Sequence, residues 1–333
     1  MKRVTLRQLR VFEQVARLRS ISAAAGVCHL TQPAVSMQLK ALEADCELPL
    51  TELVGRQLRL TEAGDVVASY ARRVQQDLDE LEQKLAAMRG QQHGKLNVGI
   101  VSTAKYFASH MLATFMQQHA GADLSLQVEN RAQILRMLAD SEIDIAIMGV
   151  PPEFLDAVAV PFADHPHGLV LPAAHALAAR DRLHIGDFAD DAFLVREPGS
   201  GTRAVMERYF ASQSFSPRKV IQMTGNEAVK QAVLAGLGVG FLSLNTIGLE
   251  RGLGLVHVPQ VVGLPVMRRW HVVHRRGKQL LPIARAFCDF VRDSGATYAT
   301  ASSSPPAVRD AKSRTRRSDR APRRAVAPSK RRR

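Results

Sequence analysis

Apolar residues in the first 60 positions recur at helical rather than strand spacing. The run LRQLRVFEQVARL keeps a period near 3.6 residues and predicts a helix over about 5–18. In the next segment Ser20 or Ser22 can cap a second helix, in which three consecutive alanines allow two backbones to approach closely. Thr31 is a suitable N-cap for a third helix that ends near Asp45, with Pro33 in its first turn.

The third helix has one apolar and one polar face. Ala34, Val35, Leu39 and Leu42 form the inward stripe, and the outward or flanking residues are Gln32, Ser36, Met37, Gln38 and Lys40. A recognition helix contacts base edges through outward residues near its N-terminus, while basic neighbours hold phosphates. The following segment, residues 55–61, predicts a β-wing whose Arg56 and Arg59 can reach a DNA backbone. The alternative is an ordinary three-helix bundle in which the outward Gln and Ser are only solvated.

After Gly64 the apolar residues alternate by four and three positions. They are Val67, Ala71, Val74, Leu78, Leu81, Leu85 and Met88. This spacing predicts a coiled-coil seam that pairs with a second helix, and so a homodimer. A dimer suits DNA with two half-sites. Packing of this helix on its own domain is the alternative.

From Lys95 the pattern changes to short apolar strands that alternate with helices, which predicts parallel sheets in two α/β lobes. Lobe I takes residues 95–162 and 267–295, and lobe II takes residues 163–266. Ligands of such sheets bind at strand carboxyl ends, where helix N-termini favour anions. The side chains at four such ends predict a site for a small anionic metabolite: Ser102, Thr103, Lys105, Asn130, Arg131, Gly201, Thr202, Arg203, Asn226 and Glu227.

The formal net charge of +14 is concentrated at one end of the chain. Residues 301–333 carry twelve Lys or Arg and two Asp, a net +10, which leaves +4 for the other 300 residues. This segment is rich in Ser, Pro and Ala and has no aromatic residue, so it predicts a disordered basic tail. Such a tail can bind nucleic acid without sequence preference.

Other function classes find little support. Cys28, Cys46 and Cys288 are scattered, without a metal-binding spacing, and no nucleophile–base motif is present. We therefore expect no catalytic residue, metal site or cofactor, and place His165 and His167 near the crossover between lobes. No run is apolar enough for a membrane span and no secretory signal opens the chain, so we expect a cytoplasmic protein.

The motifs LTQPAVSMQLKALE and GRQLRLTEAG resemble the winged helix-turn-helix of LysR-type transcriptional regulators over residues 5–90. The resemblance implies that Gln32, Pro33, Ser36 and Met37 face the DNA groove, and that Thr31, Lys40 and Arg56 contact its backbone. Three residues depart from the family pattern: Cys28 replaces the usual Leu, Glu47 the usual Gly, and Thr51 the usual Phe.

Residues 95–295 resemble the effector domain of these regulators, which shares its fold with periplasmic solute-binding proteins. The motifs STAKYF, ENRAQIL, VREPGSGTR and RRWHVVHR are similar to the branch called CbbR, which controls Calvin-cycle (RuBisCO) operons. This implies an activator of carbon-fixation genes that responds to phosphorylated sugars or related metabolites. It also implies dimers paired into tetramers on promoter DNA, and a contact with RNA polymerase. Ala176 and Gly225 depart from the usual Pro and Ser.

Together these features predict a multidomain α/β protein. A winged helix-turn-helix occupies residues 1–62, a coiled-coil linker helix 63–90, a two-lobed periplasmic-binding-protein-like α/β domain 95–295, and a basic tail 296–333. Two alternatives stay open, namely a LysR-type regulator of a different metabolic operon and a tail-driven, non-specific DNA-binding protein. An exported solute-binding protein does not suit a chain that begins with a DNA-binding unit.

Overall fold

The computed structural model describes residues 4–55, 57–88, 94–149, 151 and 155–303. The elements of the N-terminal unit are α1 (Leu6–Leu18), α2 (Ile21–Cys28), α3 (Gln32–Cys46), β1 (Thr51–Val54), β2 (Gln57–Leu60) and α4 (Glu62–Met88). The predicted helices and wing are therefore confirmed. Arg56, at the turn of the wing, lies outside the described residues.

Hydroxyl caps begin the three short helices. The side chains of Thr5, Ser20 and Thr31 each accept a backbone N–H of the first turn, and each helix ends at a residue with left-handed backbone. For α3 that residue is Glu47, with φ 55°, so the position where the family usually has Gly does adopt the conformation that favours Gly. Thr51, in place of the usual Phe, joins the wing to α3 because its hydroxyl and N–H both donate to Glu43 Oε1 at 3.2 Å.

The long helix α4 is divided between two environments. Ala68 and Ala71 are buried, and Val67 packs on the core that contains Phe12 of α1 and Leu42 of α3. This first stretch therefore packs on its own unit, and the prediction that the seam pairs with a second helix along its whole length is wrong there, since small residues let α4 approach α1 closely. Further along, Leu81 and Leu85 are 52% and 43% exposed.

Two α/β lobes follow. Their elements are β3 (Lys95–Val101), α5 (Lys105–Gln118), β4 (Asp123–Glu129), α6 (Arg131–Ala139), β5 (Ile145–Met148), β6 (Ala157–Pro172), β7 (Ala192–Arg196), α7 (Gly201–Ser212), β8 (Lys219–Met223), α8 (Asn226–Leu234), β9 (Val239–Ser243), α9 (Gly248–Gly252), β10 (Val256–His257), β11 (Val266–Arg275) and α10 (Pro282–Ser303). The strand order is β4-β3-β5-β11-β6-β9-β7-β8, with β10 beside β6.

The crossings between lobes occur inside strands rather than in loops. Strands β4, β3 and β5 are parallel in lobe I, and β8, β7 and β9 are parallel in lobe II. The long antiparallel pair β6 and β11 joins the two sets. The predicted boundaries at 162/163 and 266/267 fall within or at the end of these strands, so the two lobes share a continuous sheet.

The last helix extends beyond residue 295, where the predicted α/β domain ends. Helix α10 continues to Ser303, where Ala299 is buried and its carbonyl accepts a hydrogen bond from Asn245 Nδ2 at 3.0 Å. The prediction that the basic tail begins at 296 is therefore wrong, because residues 296–303 are helical and Ala299 packs against the lobe junction. The rest of that tail, from residue 304, lies outside the described residues.

The core of lobe I is centred on aromatic rings. Phe107 meets Trp270 edge to face, with ring centroids 5.1 Å apart, and Phe115 meets Phe287 in the same way. Lobe II packs apolar clusters on both faces of its strands. Apart from the gaps in the described chain, no helix combines the length and apolarity needed to cross a bilayer.

Candidate nucleic-acid interface and effector cleft

Helix α3 presents its polar residues outward, as its sequence pattern predicts. Val35, Leu39 and Leu42 are buried against the rest of the unit. Thr31, Gln32, Pro33, Met37 and Lys40 are exposed, and Ser36 and Gln38 are half-buried. Within the described chain, no side-chain hydrogen bond or ion pair engages Gln32, Ser36, Gln38 or Lys40. These side chains are available to a partner, whereas Thr31 already caps the helix through the N–H of Ala34 at 3.4 Å.

A small cleft with a cavity volume of about 30 Å³ lies between the two lobes. Six of the ten predicted effector residues line it: Ser102, Thr103, Asn130, Arg131, Gly201 and Thr202. They come from the carboxyl end of β3 and the N-termini of α6 and α7, as the strand-end argument requires. Ser200, the N-cap of α7, makes no side-chain capping bond and also lines the cleft.

The other four predicted effector residues lie outside this lining and are bonded to protein groups. Arg203 donates to the Arg196 carbonyl at 3.1 Å and to Gln222 Oε1 at 2.9 Å, and it pairs with Glu207. Lys105 of lobe I forms a 3.9 Å ion pair with Glu227 of lobe II. Asn226 is buried and accepts a hydrogen bond from Arg196. The structure therefore gives these side chains roles inside the protein.

Lys105 and Glu227 belong to a contact that joins the lobes beside the cleft. The Tyr106 hydroxyl of lobe I donates to the Glu227 carboxylate, and Lys230 Nζ lies 3.2 Å from the same carboxylate and 4.8 Å from the centre of the Tyr106 ring. Burial, and then the hydrogen bond to Glu227, raise the pKa of Tyr106. The phenol is therefore a neutral donor near pH 7, which suits its bond to a carboxylate.

Arg196 is a second link across the cleft. Its Nε and Nη2 each donate to the Glu197 carboxylate at 2.7 Å, and its Nη2 lies 3.3 Å from Ser102 Oγ in lobe I. Burial alone would raise the pKa of Glu197, but the bonds from Arg196 and the Gly225 N–H outweigh it and lower the pKa to about 2. The guanidinium of Arg196 is thus neutralised by a carboxylate that is ionised at neutral pH.

Sequence reasoning missed the third wall of the cleft, which the joined strands β6 and β11 provide. His165 and His167 from β6 and Arg268 from β11 line the cleft together with Arg196. The expectation that both histidines lie at the lobe crossover is confirmed. The signal was present in the sequence, because HPH and RRWH place polar groups within otherwise apolar strands.

Both histidines of this wall are neutral and almost fully buried. The His165 ring stacks on Trp270 with centroids 3.6 Å apart, and its Nε2 lies 3.0 Å from Ser243 Oγ. Burial lowers the pKa of His165 well below its ordinary value and lowers that of His167 to about 4. At neutral pH the cleft therefore takes its positive charge from arginines.

The comparisons with known proteins agree with this architecture. The model for the LysR substrate binding domain matches residues 89–296, and the model for the bacterial regulatory helix-turn-helix protein, lysR family, matches residues 6–65. The chain is similar to the RuBisCO operon transcriptional regulator of Allochromatium vinosum, with 44% identity over 293 residues, which are 88% of this chain and 97% of that protein.

Two further relatives are informative. The HTH-type transcriptional regulator CbbR of Rhodospirillum rubrum is 42% identical over 292 residues, which are 88% of this chain and 97% of the relative. The regulatory domain of Synechocystis PCC6803 CcmR, solved in complex with 2-PG, is 34% identical and superposes with a TM-score of 0.58. That superposition covers 60% of this chain and 96% of the CcmR domain.

Proposed function

Because this chain belongs to the LysR family of transcriptional regulators, we propose that helix α3 inserts its N-terminal, outward face into the major groove of a promoter. Gln32, Ser36 and Met37 contact base edges, with Pro33 and Gln38 at the border of this contact. Thr31, Lys40 and Arg56 contact the DNA backbone. The carrying observation is that the outward side chains of Gln32, Ser36, Gln38 and Lys40 have no bonding partner in the described chain, although the helix itself is firmly packed.

The protein acts as a homodimer, and two dimers form a tetramer. Support comes from apolar side chains that face solvent along the second half of α4 and the neighbouring helix ends. Leu81, Leu85, Leu6 and Val27 are each more than 40% exposed and line one groove. Burial of such a leucine contributes about 1.5–3 kcal/mol, so a partner copy gains by covering them.

The effector is a small anionic metabolite held in the interlobe cleft. Three arginines line this cleft, namely Arg131, Arg268 and Arg196, of which Arg196 is paired with Glu197, and the described lining itself contains no carboxylate. Helix N-termini at Arg131 and Gly201 add N–H donors and positive dipole ends. Since the CcmR domain was solved with 2-PG, that molecule is the first candidate.

We propose carbon-fixation genes as the regulated operon, because the relatives named above include a RuBisCO operon regulator and a CbbR. The protein works in the cytoplasm, where its promoter is, and activates transcription through RNA polymerase. A different metabolic operon is the alternative, since a cleft of this chemistry also suits other anions.

A contact between α4 and lobe I offers a path from the cleft to the DNA-binding unit. Arg72 of α4 pairs with Asp140 at 3.5 Å, and Gln76 donates to the Ser141 carbonyl. Effector binding shifts the lobes only if one arrangement binds it better than the other. A lobe I shift then moves α4 and with it the angle between paired DNA-binding units.

The test is footprinting of a carbon-fixation promoter with purified full-length protein, with and without 2-PG. We expect two protected segments whose spacing or extent changes with the ligand. Thr202→Ala should remove the ligand response and leave DNA affinity unchanged, while Lys40→Ala should weaken DNA binding at every site. A uniform smear on all fragments would refute site-specific binding.

The basic segment after Ser303 is an accessory that raises general affinity for DNA. Its net charge of +10 supports this role, and both family models end before it. Removal of residues 304–333 should therefore flatten the salt dependence of binding to random DNA and keep the promoter footprint. Loss of the footprint, with an unchanged salt slope, would contradict the proposal.

A further inference from the structure

The cleft between the lobes is narrow as it stands. Its volume of about 30 Å³ compares with about 10–15 Å³ for one water molecule and about 300–1,000 Å³ for a typical small-molecule pocket. Backbone atoms also meet across it, because the Ala132 N–H of lobe I donates to the Gly199 carbonyl of lobe II at 3.3 Å. A metabolite can therefore enter only when the two lobes move apart.

Five side chains beside this cleft form a cluster that joins the lobes, which we call the interlobe latch. Its members are Lys105 and Tyr106 of lobe I, and Glu227, Lys230 and Glu250 of lobe II. The Glu227 carboxylate is the centre, since it accepts the Tyr106 hydroxyl and lies 3.9 Å from Lys105 Nζ. The Lys230 ammonium lies 4.8 Å from the centre of the Tyr106 ring. These three contacts cross from one lobe to the other.

Lobe II holds its half of the latch in place by itself. Lys230 is buried, and it pairs with Glu227 at 3.2 Å and with Glu250 at 2.7 Å. Tyr106 and Lys105 lie in the first turn of α5, whose apolar face packs in the core of lobe I. When the lobes separate, the ion pairs of Lys230 stay within lobe II, and the contacts made by Tyr106 and Lys105 break.

The latch differs from a buried contact that also joins the lobes. Asn245 of lobe II accepts the Trp270 Nε1–H at 3.3 Å and donates to the Ala299 carbonyl at 3.0 Å, and it is buried. In the latch, by contrast, the central Glu227 is exposed. Water can replace exposed ion pairs at little cost, whereas a buried polar group that loses its partner is left unsatisfied. The lobes should therefore part at the latch and stay joined at Asn245.

We propose that the interlobe latch holds the lobes together and competes with the effector, so that Glu227 must release Tyr106 and Lys105 before a ligand enters the cleft. The inference rests on the proposed function, since it assumes that this cleft is the effector site. It makes Lys105 and Glu227 regulators of the site rather than ligand contacts. Because only molecules with separated lobes bind, the fraction with closed lobes lowers the apparent affinity. A protein with a weaker latch should then bind the effector more tightly.

Hydrogen exchange, resolved to single amides and measured without ligand, tests whether the latch closes the lobes. The reporter is the Ala132 amide, which loses its Gly199 acceptor when the lobes part. Tyr106→Phe removes the hydroxyl that donates to Glu227 and keeps the aromatic ring beside Lys230. This variant should exchange the Ala132 amide at least about threefold faster, since a hydrogen bond to a charged group contributes at least that factor.

Calorimetry with the full-length protein and 2-PG tests the competition. Tyr106→Phe and Lys105→Gln should each raise the affinity for 2-PG by at least about threefold, because more molecules have separated lobes. A direct ligand contact predicts the opposite sign, since loss of a lysine or of a phenol hydroxyl would then weaken the binding of an anion. The matched control is Asp190→Asn, which removes an exposed carboxylate paired with Arg218 inside lobe II at 2.8 Å and should change neither exchange nor affinity.

The results distinguish a failure of the latch from a failure of the proposed function. Unchanged exchange of the Ala132 amide in Tyr106→Phe overturns the latch, whatever the ligand measurements give. Faster exchange together with equal or weaker 2-PG affinity overturns the competition with the effector. If the wild type does not bind 2-PG while Tyr106→Phe exchanges faster, the proposed effector fails and the latch is supported as the contact that closes the lobes.

Discussion

Helix α3 and the cleft between the lobes use polar residues in opposite ways. Near the N-terminus of α3, Gln32 and Lys40 are exposed and make no side-chain bond within the described chain, and the fold depends on the buried stripe behind them. In and beside the cleft, Arg196, Asn226, Lys105 and Glu227 are bonded to each other or to neighbours across the two lobes. Substitutions on the outward face of α3 should therefore change DNA recognition at little cost in stability. Substitutions around the cleft should change both ligand binding and stability.

Arg196→Ala should show the largest effect on stability. The substitution leaves the Glu197 carboxylate unpaired and Asn226 without its donor, and the loss of one partner of a buried ion pair costs about 3–5 kcal/mol. Unfolding in urea can be followed by the fluorescence of Trp270, the single tryptophan, which lies in the lobe I core. Gln32→Ala is the control and should stay within about 0.5 kcal/mol. Equal urea midpoints for Arg196→Ala and Gln32→Ala would contradict the contrast between the cleft and α3.

This contrast also explains what the sequence could predict. The exposed face of α3 lies on one helix, so the spacing of Gln32, Ser36 and Lys40 was enough to place them together. The cleft joins residues far apart in the chain. Arg268 and His165 become neighbours only through the register of β11 on β6, which no local pattern specifies.

Two other parts of the molecule also depend on contacts between residues that are distant in the chain, which local patterns do not predict. Lys105 and Glu227 were each predicted as anion contacts from their helix positions, but their mutual ion pair depends on how the lobes meet. The end of the α/β domain was predicted too early, at residue 295, because the run GATYATASS is polar and small. The buried position of Ala299 in that run comes with a hydrogen bond from Asn245 of the other lobe.

Leu81→Glu tests whether the exposed apolar residues of α4 contact a second copy of the chain. If the seam pairs with a second copy, a charge at Leu81 removes apolar burial from both protomers and should weaken the dimer by at least about 2 kcal/mol. Sedimentation equilibrium measures the change. Val66→Glu, on the same helix and 54% exposed but outside the seam, should have little effect. Identical association of both variants would place the dimer contact elsewhere.

Gln32→Ala and Lys40→Ala should separate two kinds of DNA contact on the same helix. Loss of a base contact by Gln32 should reduce discrimination at one base pair by about 1–3 kcal/mol. Loss of a phosphate contact by Lys40 should instead weaken all sequences alike and lower the salt slope by about one. Binding titrations on promoter and scrambled duplexes at several salt concentrations measure both quantities. A uniform loss in Gln32→Ala would move that residue to the backbone contacts.

Glu47→Gly should give the smallest effect, a gain in local stability without a change in recognition. Glu47 has φ 55° at the C-terminal end of α3, where a non-glycine residue costs about 1 kcal/mol. Hydrogen exchange of the α3 amides should slow severalfold, while promoter affinity stays constant because Gln32 lies at the opposite end of the helix. Glu47→Ala removes the carboxylate without this backbone freedom and is the matched control. If the Ala and Gly variants slow exchange equally, then the carboxylate charge of Glu47 at the C-terminal end of α3 destabilises the helix, and the left-handed backbone does not.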